Sequence, residues 1–133
     1  MLTLRAALAS LLLALPAAAQ ERPLSPDAFL DVVAGLIVRF ETAEDGRLVG
    51  VERFVDRRRS VWTRPDGRCA LGAVEARGEQ LCFVYEDEPE VAHCWWPFEE
   101  EGALHVRSVR TGEVQRVGGL RERLLGCEGE PLS

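Results

Sequence analysis

The stretch from Cys69 to Trp96, CALGAVEARGEQLCFVYEDEPEVAHCWW, decides the fold. Three short runs rich in apolar, β-branched and aromatic residues are broken at Gly78-Glu79 and again at Asp87-Glu88-Pro89. A two-residue connection that begins with glycine suits a tight hairpin. Counting outward from it sets Val74 opposite Phe83 and Glu75 opposite Cys82. A three-residue loop at Asp87–Pro89 then sets Phe83 opposite His93, Leu81 opposite Trp95 and Cys82 opposite Cys94. Side chains alternate between the two faces of a strand. One face of this central sheet therefore carries Val74, Ala76, Leu81, Phe83, Tyr85, Val91, His93 and Trp95. The other carries Trp62, Leu71, Ala73, Cys82, Val84, Cys94 and Trp96. Both faces are largely apolar and both need cover, which a barrel or a sandwich supplies and an open one-sided sheet does not.

The same pattern continues on either side. Further strands are expected at Leu36–Thr42, Leu48–Val55, Ser60–Arg64, Ala103–Val109 and Glu113–Val117, with turns at Asp45-Gly46, Asp56-Arg57-Arg58, Pro65-Asp66-Gly67, Glu101-Gly102 and Thr111-Gly112. A type I′ turn at Asp45-Gly46 sets Phe40 opposite Val51 and Leu36 opposite Val55. Gly118 to Gly126 could hold a helical turn through Leu120, Leu124 and Leu125. One short helix precedes the strands. Ser25 is a good N-cap, Pro26 suits the first helical position, and Asp27 faces the positive end of the dipole. Phe29, Val32, Val33 and Leu36 form an apolar stripe, and Gly35 can close the helix. The expected fold is all-β: an antiparallel meander of seven to eight short strands forming a small barrel or sandwich, with one N-terminal helix.

Residues 1–19 have the three parts of a secretory signal in order. Arg5 supplies the charge, Ala6 to Leu15 the apolar run, and Ala17-Ala18-Ala19 a cleavage site before Gln20. The run is too short to span a bilayer. Cleavage near Ala19 would release a single domain, residues 20–133, to the periplasm or the exterior, with formal charge moving from −6 to −7 as Arg5 leaves. The chain of 133 residues has four cysteines, and a short exported chain with four cysteines implies two disulfides. Register selects the pairing. Cys82 and Cys94 face each other, whereas Cys69 lies six residues beyond the position opposite Cys82, roughly 20 Å away at ~3.4 Å per residue. Cys69 is left with Cys127. Neither zinc nor redox C-x-x-C spacing is present.

The residues Trp62-Thr63-Arg64-Pro65-Asp66-Gly67-Arg68-Cys69, then Gly72, Leu81-Cys82-Phe83-Val84-Tyr85 and Cys94-Trp95, resemble the D-G-x-C…G-x-W…L/I-C-x-x-Y…C-W pattern of a group of small secreted proteobacterial proteins, a domain-of-unknown-function family. The resemblance runs from about Gly46 to Trp96, and Val74 stands where such proteins often have tryptophan. It implies an exported all-β domain and no activity.

Few residues carry catalytic chemistry. His93 and His105 are the only histidines. His93 falls between Phe83 and Trp95 on a sheet face, and His105 alternates outward from Leu104 and Val106 as a solvated strand residue. No P-loop, dinucleotide, zincin or EF-hand spacing occurs, and the acidic total argues against a nucleic-acid partner. Neither a metal nor a cofactor is expected. The first expectation is a non-catalytic, monomeric binding or interaction module. Its partner, an unidentified protein or small ligand, would be met by the basic stretch of Arg57, Arg58, Arg59 and Arg64 and by Trp62, Tyr85, His93, Trp95 and Trp96. The alternative is a carrier whose calycin-like barrel, its interior lined by Leu81, Phe83, Tyr85 and Trp95, holds a small apolar molecule. An exposed aromatic patch would favour the module and an apolar cavity of at least ~300 Å³ the carrier. A His93–carboxylate pair inside a cleft would point instead to an enzyme.

Overall fold

The computed structural model describes residues 20–121 and Cys127. The expected leader over residues 1–19 lies outside the described residues. Nine strands and one helix follow in the order β1 (Arg22–Pro23), α1 (Pro26–Val33), β2 (Ile37–Thr42), β3 (Leu48–Phe54), β4 (Arg59–Thr63), β5 (Cys69–Arg77), β6 (Gln80–Tyr85), β7 (Ala92–Glu100), β8 (Ala103–Ser108) and β9 (Val114–Arg121). Strands β2 to β9 pair with their sequence neighbours, all antiparallel. The β2–β9 pairing closes the ring. The architecture is an eight-stranded up-and-down barrel rather than a sandwich. The two-residue β1, not foreseen from the sequence, adds to the outer half of β7 and is pinned by an Arg22–Glu99 ion pair.

The central registers agree with the sequence reading. Val74 pairs with Phe83 and Glu75 with Cys82, then Leu81 with Trp95, Cys82 with Cys94 and Phe83 with His93. The disulfides are Cys82–Cys94 and Cys69–Cys127. By loop closure they are worth about 3 and about 4 kcal/mol.

Three expectations are corrected. Phe40 pairs with Gly50, not Val51, and Leu36 does not face Val55. The hairpin loop is four residues, Ala43–Gly46, closed by Thr42 N–H to Arg47 O at 2.8 Å, and Gly46 takes φ +70°. A bulge between Phe40 and Glu41 then leaves Val49 without an opposite residue. No helical turn begins at Gly118, because β9 continues to Arg121. The rest of that expected turn, residues 122–126, lies outside the described residues. Trp62 does not share a face with Leu71. It pairs with Ala70, which puts it on the inward side with Gly72 and Val74.

The helix forms as its sequence dictates. Ser25 Oγ accepts from Ala28 N–H at 3.1 Å, Pro26 opens the first turn, and Gly35 at φ +81° takes the chain out. Of the expected stripe, Val32 instead points outward, 44% exposed, and Leu36 lies beyond the helix. The buried stripe is Phe29, Leu30 and Val33, set against Val38, Phe54, Leu81, Phe83 and Val106. These inward residues lie toward the same end of the strands, so the helix stoppers one end of the barrel. Arg57, on the β3–β4 turn, bonds Asp31 at 2.6 Å and Asp27 at 3.1 Å across the gap. Such exposed pairs contribute little, and the stopper is held by its apolar face. Phe29 is fully buried, edge-on to Phe54 at 6.4 Å between ring centres. Truncating it in Phe29→Ala is expected to cost about 3–5 kcal/mol of unfolding free energy, measured by denaturant titration, whereas Val32→Ala on the exposed side should cost under about 0.5 kcal/mol.

Candidate functional site

At the end opposite the helix the lumen is unfilled. A cavity of about 310 Å³ is lined by Phe40, Val49, Glu52, Trp62, Arg64, Phe83, Tyr85, Glu88, His93, Trp95 and Gln115. Strand alternation aims most of these side chains inward, and the bulge adds Val49 to the lining. The aromatic rings form a continuous column. Phe29 meets Phe54, which meets Phe83 at 6.0 Å. Phe83 stacks on Tyr85 at 6.1 Å, and Tyr85 lies 6.5 Å from Trp62, which meets Phe40 at 6.3 Å. Two glycines let the large rings lie flat against the wall. A Cβ on Gly50 would sit 2.3 Å from the Trp62 indole, and one on Gly72 would sit 2.9 Å from the Tyr85 ring and 2.7 Å from Ser60 Oγ. Larger residues there would push both rings toward the axis and fill the space.

Glu52 lies deep in this site. It is 1% exposed, on the same inward face as Gly50 and Phe54. Tyr85 Oη donates to Glu52 Oε2 at 3.0 Å, while Glu52 Oε1 has no hydrogen-bond partner among the described residues. Burial pushes the Glu52 carboxyl up to about 8, against the opposing pull first of the Ser60 hydroxyl and then of the Tyr85 hydroxyl. It is thus largely protonated at neutral pH. Burial, and then the neighbouring Glu52, hold the Tyr85 phenol well above its ordinary value, so it stays a hydrogen-bond donor.

The mouth is polar. The β6–β7 loop bends over it and is tied down twice: Arg64 bonds Asp87 at 2.7 Å, and His93 Nε2 lies 3.2 Å from Glu88 Oε2. The ring of His93 also meets Tyr85 at 5.9 Å.

Of the candidates read from the sequence, Trp62, Arg64, Tyr85, His93 and Trp95 come together around this cavity. Trp96, the neighbour of Trp95, points outward and is 41% exposed. Arg57 is engaged with the helix, Arg59 with Asp56 at 2.8 Å, and Arg58 is exposed on the same turn. Arg57 to Arg59 are therefore largely neutralised by local carboxylates and stand apart from the cavity, whereas Arg64 lines it. His105 is not solvated as expected. It is buried on the outer face of the barrel, stacked on Phe98 at 5.0 Å, with Nδ1 3.0 Å from Ala103 O. Phe98 also carries the Arg107 guanidinium over its ring, so this outer patch is a packed aromatic cluster of its own.

Of the four residues expected to line a carrier's interior, Phe83, Tyr85 and Trp95 line the cavity and Leu81 does not. Glu52, Phe40, Val49, Glu88 and Gln115 were not singled out beforehand as site residues. Only Glu52 left a signal: a carboxylate two residues before Phe54 and two after Gly50 on one face of an expected strand. No cluster of metal-ligating side chains occurs among the described residues. Comparison with family models, with curated proteins and with solved structures returns no match for this chain.

The raised Glu52 carboxyl has a consequence for stability. A buried acid that keeps its proton in the fold but loses it when unfolded destabilises the fold increasingly between its two pKa values, by about 1.4 kcal/mol per pH unit. The window runs from the ordinary value of 4.5 to about 8. Glu52→Gln removes the titration. The stability difference between this variant and the wild type, from denaturant melts at pH 5, 6, 7 and 8, should shift steadily in the variant's favour and level off above pH 8.

Proposed function

We propose that the protein is a non-catalytic carrier or binding protein for a small, largely apolar molecule held in the lumen of the barrel. The observation that carries this reading is the unfilled, aromatic-walled space of about 310 Å³ at the unstoppered end. That volume is at the low end for small-molecule sites, and eight-stranded barrels leave room for about one small ligand. The competing idea of a protein-docking face has less support. Trp62, Tyr85 and Trp95 line the lumen, and the large hydrophobic residues exposed among the described residues, Val32 and Trp96, do not make a broad patch. The His93–Glu88 pair has the spacing of a proton relay, but Glu88 is half-exposed at the rim and the pair closes a loop, so we read it as a clasp.

Two disulfides suit an oxidising compartment, and no helix among the described residues is long and apolar enough to cross a membrane. With the leader read from residues 1–19, we assign the protein to the periplasm or the exterior. The stretch that resembles small secreted proteobacterial proteins, Gly46 to Trp96, includes every lining residue except Phe40 and Gln115. The same reading would extend to that group wherever the lining residues recur.

A neutral phenylnaphthylamine dye tests the proposal. It should bind one-to-one with enhanced emission and quench tryptophan fluorescence. Val49→Trp, which fills the mouth from the bulge, should weaken the dye about tenfold or more while leaving the far-UV spectrum and melting cooperativity intact. Dye binding that is absent, or indifferent to this substitution, would sink the reading.

A further inference from the structure

Resting on that reading, we infer that the preferred occupant is an organic amine carrying at least one N–H, whose ammonium group pairs with Glu52 inside the ring of aromatic faces. Three observations on the cavity converge. Glu52 is fully buried, contributes to the lining, and has one oxygen without a hydrogen-bond partner among the described residues. The buried Ser60 hydroxyl acts on this carboxyl, yet neither Ser60 Oγ nor Glu52 Oε1 closes a hydrogen bond among the described residues. A buried polar atom left unpaired is costly, and an ammonium N–H supplies a donor to Oε1. Phe40, Trp62, Phe83, Tyr85 and Trp95 surround the same space, and the negative face of each ring attracts a cation. The charged groups at the mouth do not oppose a cation. Arg64 is already engaged by Asp87, and His93 by Glu88, so neither offers an unengaged positive charge to an anionic ligand.

The proton balance follows from the chemistry of the pair. The amine arrives as its ammonium ion. Glu52, protonated in the empty cavity, releases its proton to solvent, and the carboxylate and ammonium remain as an ion pair with Tyr85 donating to the second oxygen. No bond other than O–H breaks. Affinity for the charged amine therefore rises with pH and levels off above about 8, where Glu52 is already ionised. The other titratable and charged groups bordering the space are Tyr85, Arg64 with Asp87, and His93 with Glu88.

Isothermal titration of the mature protein with benzylamine and with its neutral counterpart benzyl alcohol reads this directly. At pH 7 the amine should bind at least about tenfold tighter. Its heat should differ between phosphate and Tris buffers by the ionisation heat of the released proton, and its affinity should rise from pH 7 to pH 8. In Glu52→Gln the preference for amine over alcohol should vanish while benzyl alcohol still binds. Equal affinities in the wild type would overturn the inference, as would an amine preference that survives Glu52→Gln. Should that variant misfold, the buffer and pH dependence in the wild type decide alone, and their absence also overturns it. Binding of the naphthylamine dye without either benzyl compound refutes the amine class and spares the carrier reading, whereas failure of the dye as well refutes both.

Discussion

Phe29 stands where an eight-stranded barrel would otherwise run open from end to end. The burial of one helical stripe, Phe29, Leu30 and Val33, against the inward residues of β2, β3, β6 and β8 turns a tube into a cup. Everything of functional interest depends on that contact. It excludes water from the lower lumen and supports the aromatic column from below, so the buried carboxyl of Glu52 sits in a low-dielectric setting rather than in a solvated pore.

The barrel wall was legible in the sequence because its signals are local. Turn residues at Gly78-Glu79 fix a register by counting, the pairing carries across the Asp87–Pro89 loop, and the two disulfides follow from that count. Local signals fail where the backbone departs from regular spacing. The four-residue loop at Ala43–Gly46 and the bulge at Val49 are invisible to a hydrophobic pattern, and together they move Phe40 from Val51 to Gly50. Trp62 is a plainer case: the Pro65-Asp66-Gly67 turn did not yield a register, so nothing tied its face to that of Leu71. A ring closed on itself has one inside, and assigning a strand to it needs the partner on both sides.

The site was less legible, for a different reason. Trp62, Arg64, Tyr85, His93 and Trp95 were conspicuous as residue types, whereas Glu52 belongs to a type that is common on surfaces. What singles it out is the company kept across four strands: Gly50 under the Trp62 indole, Gly72 under the Tyr85 ring, and the phenol that reaches Glu52 Oε2. Glycine in a strand usually weakens it. Here the missing side chains are where two aromatic rings lie, and the emptiness at the axis is the result. Arginine misled in the opposite direction. A run of three basic residues looks like a contact site in one dimension, but in three it meets Asp27, Asp31 and Asp56.

The seam between β2 and β9 bears on how such a cup is made. Ile37 pairs with Arg121, so the first strand of the wall is bonded on one side by the last. A chain emerging from its N-terminus lays down β2 to β8 in order as hairpins, each neighbour ready to pair as it appears. Through all of that, the outer edge of β2 keeps unsatisfied N–H and C=O groups that no later hairpin can reach until β9 arrives. Closure is a single, late and long-range event, the kind of contact that sets the slowest folding rates. Until it happens, the nascent wall is an open sheet with a templating edge.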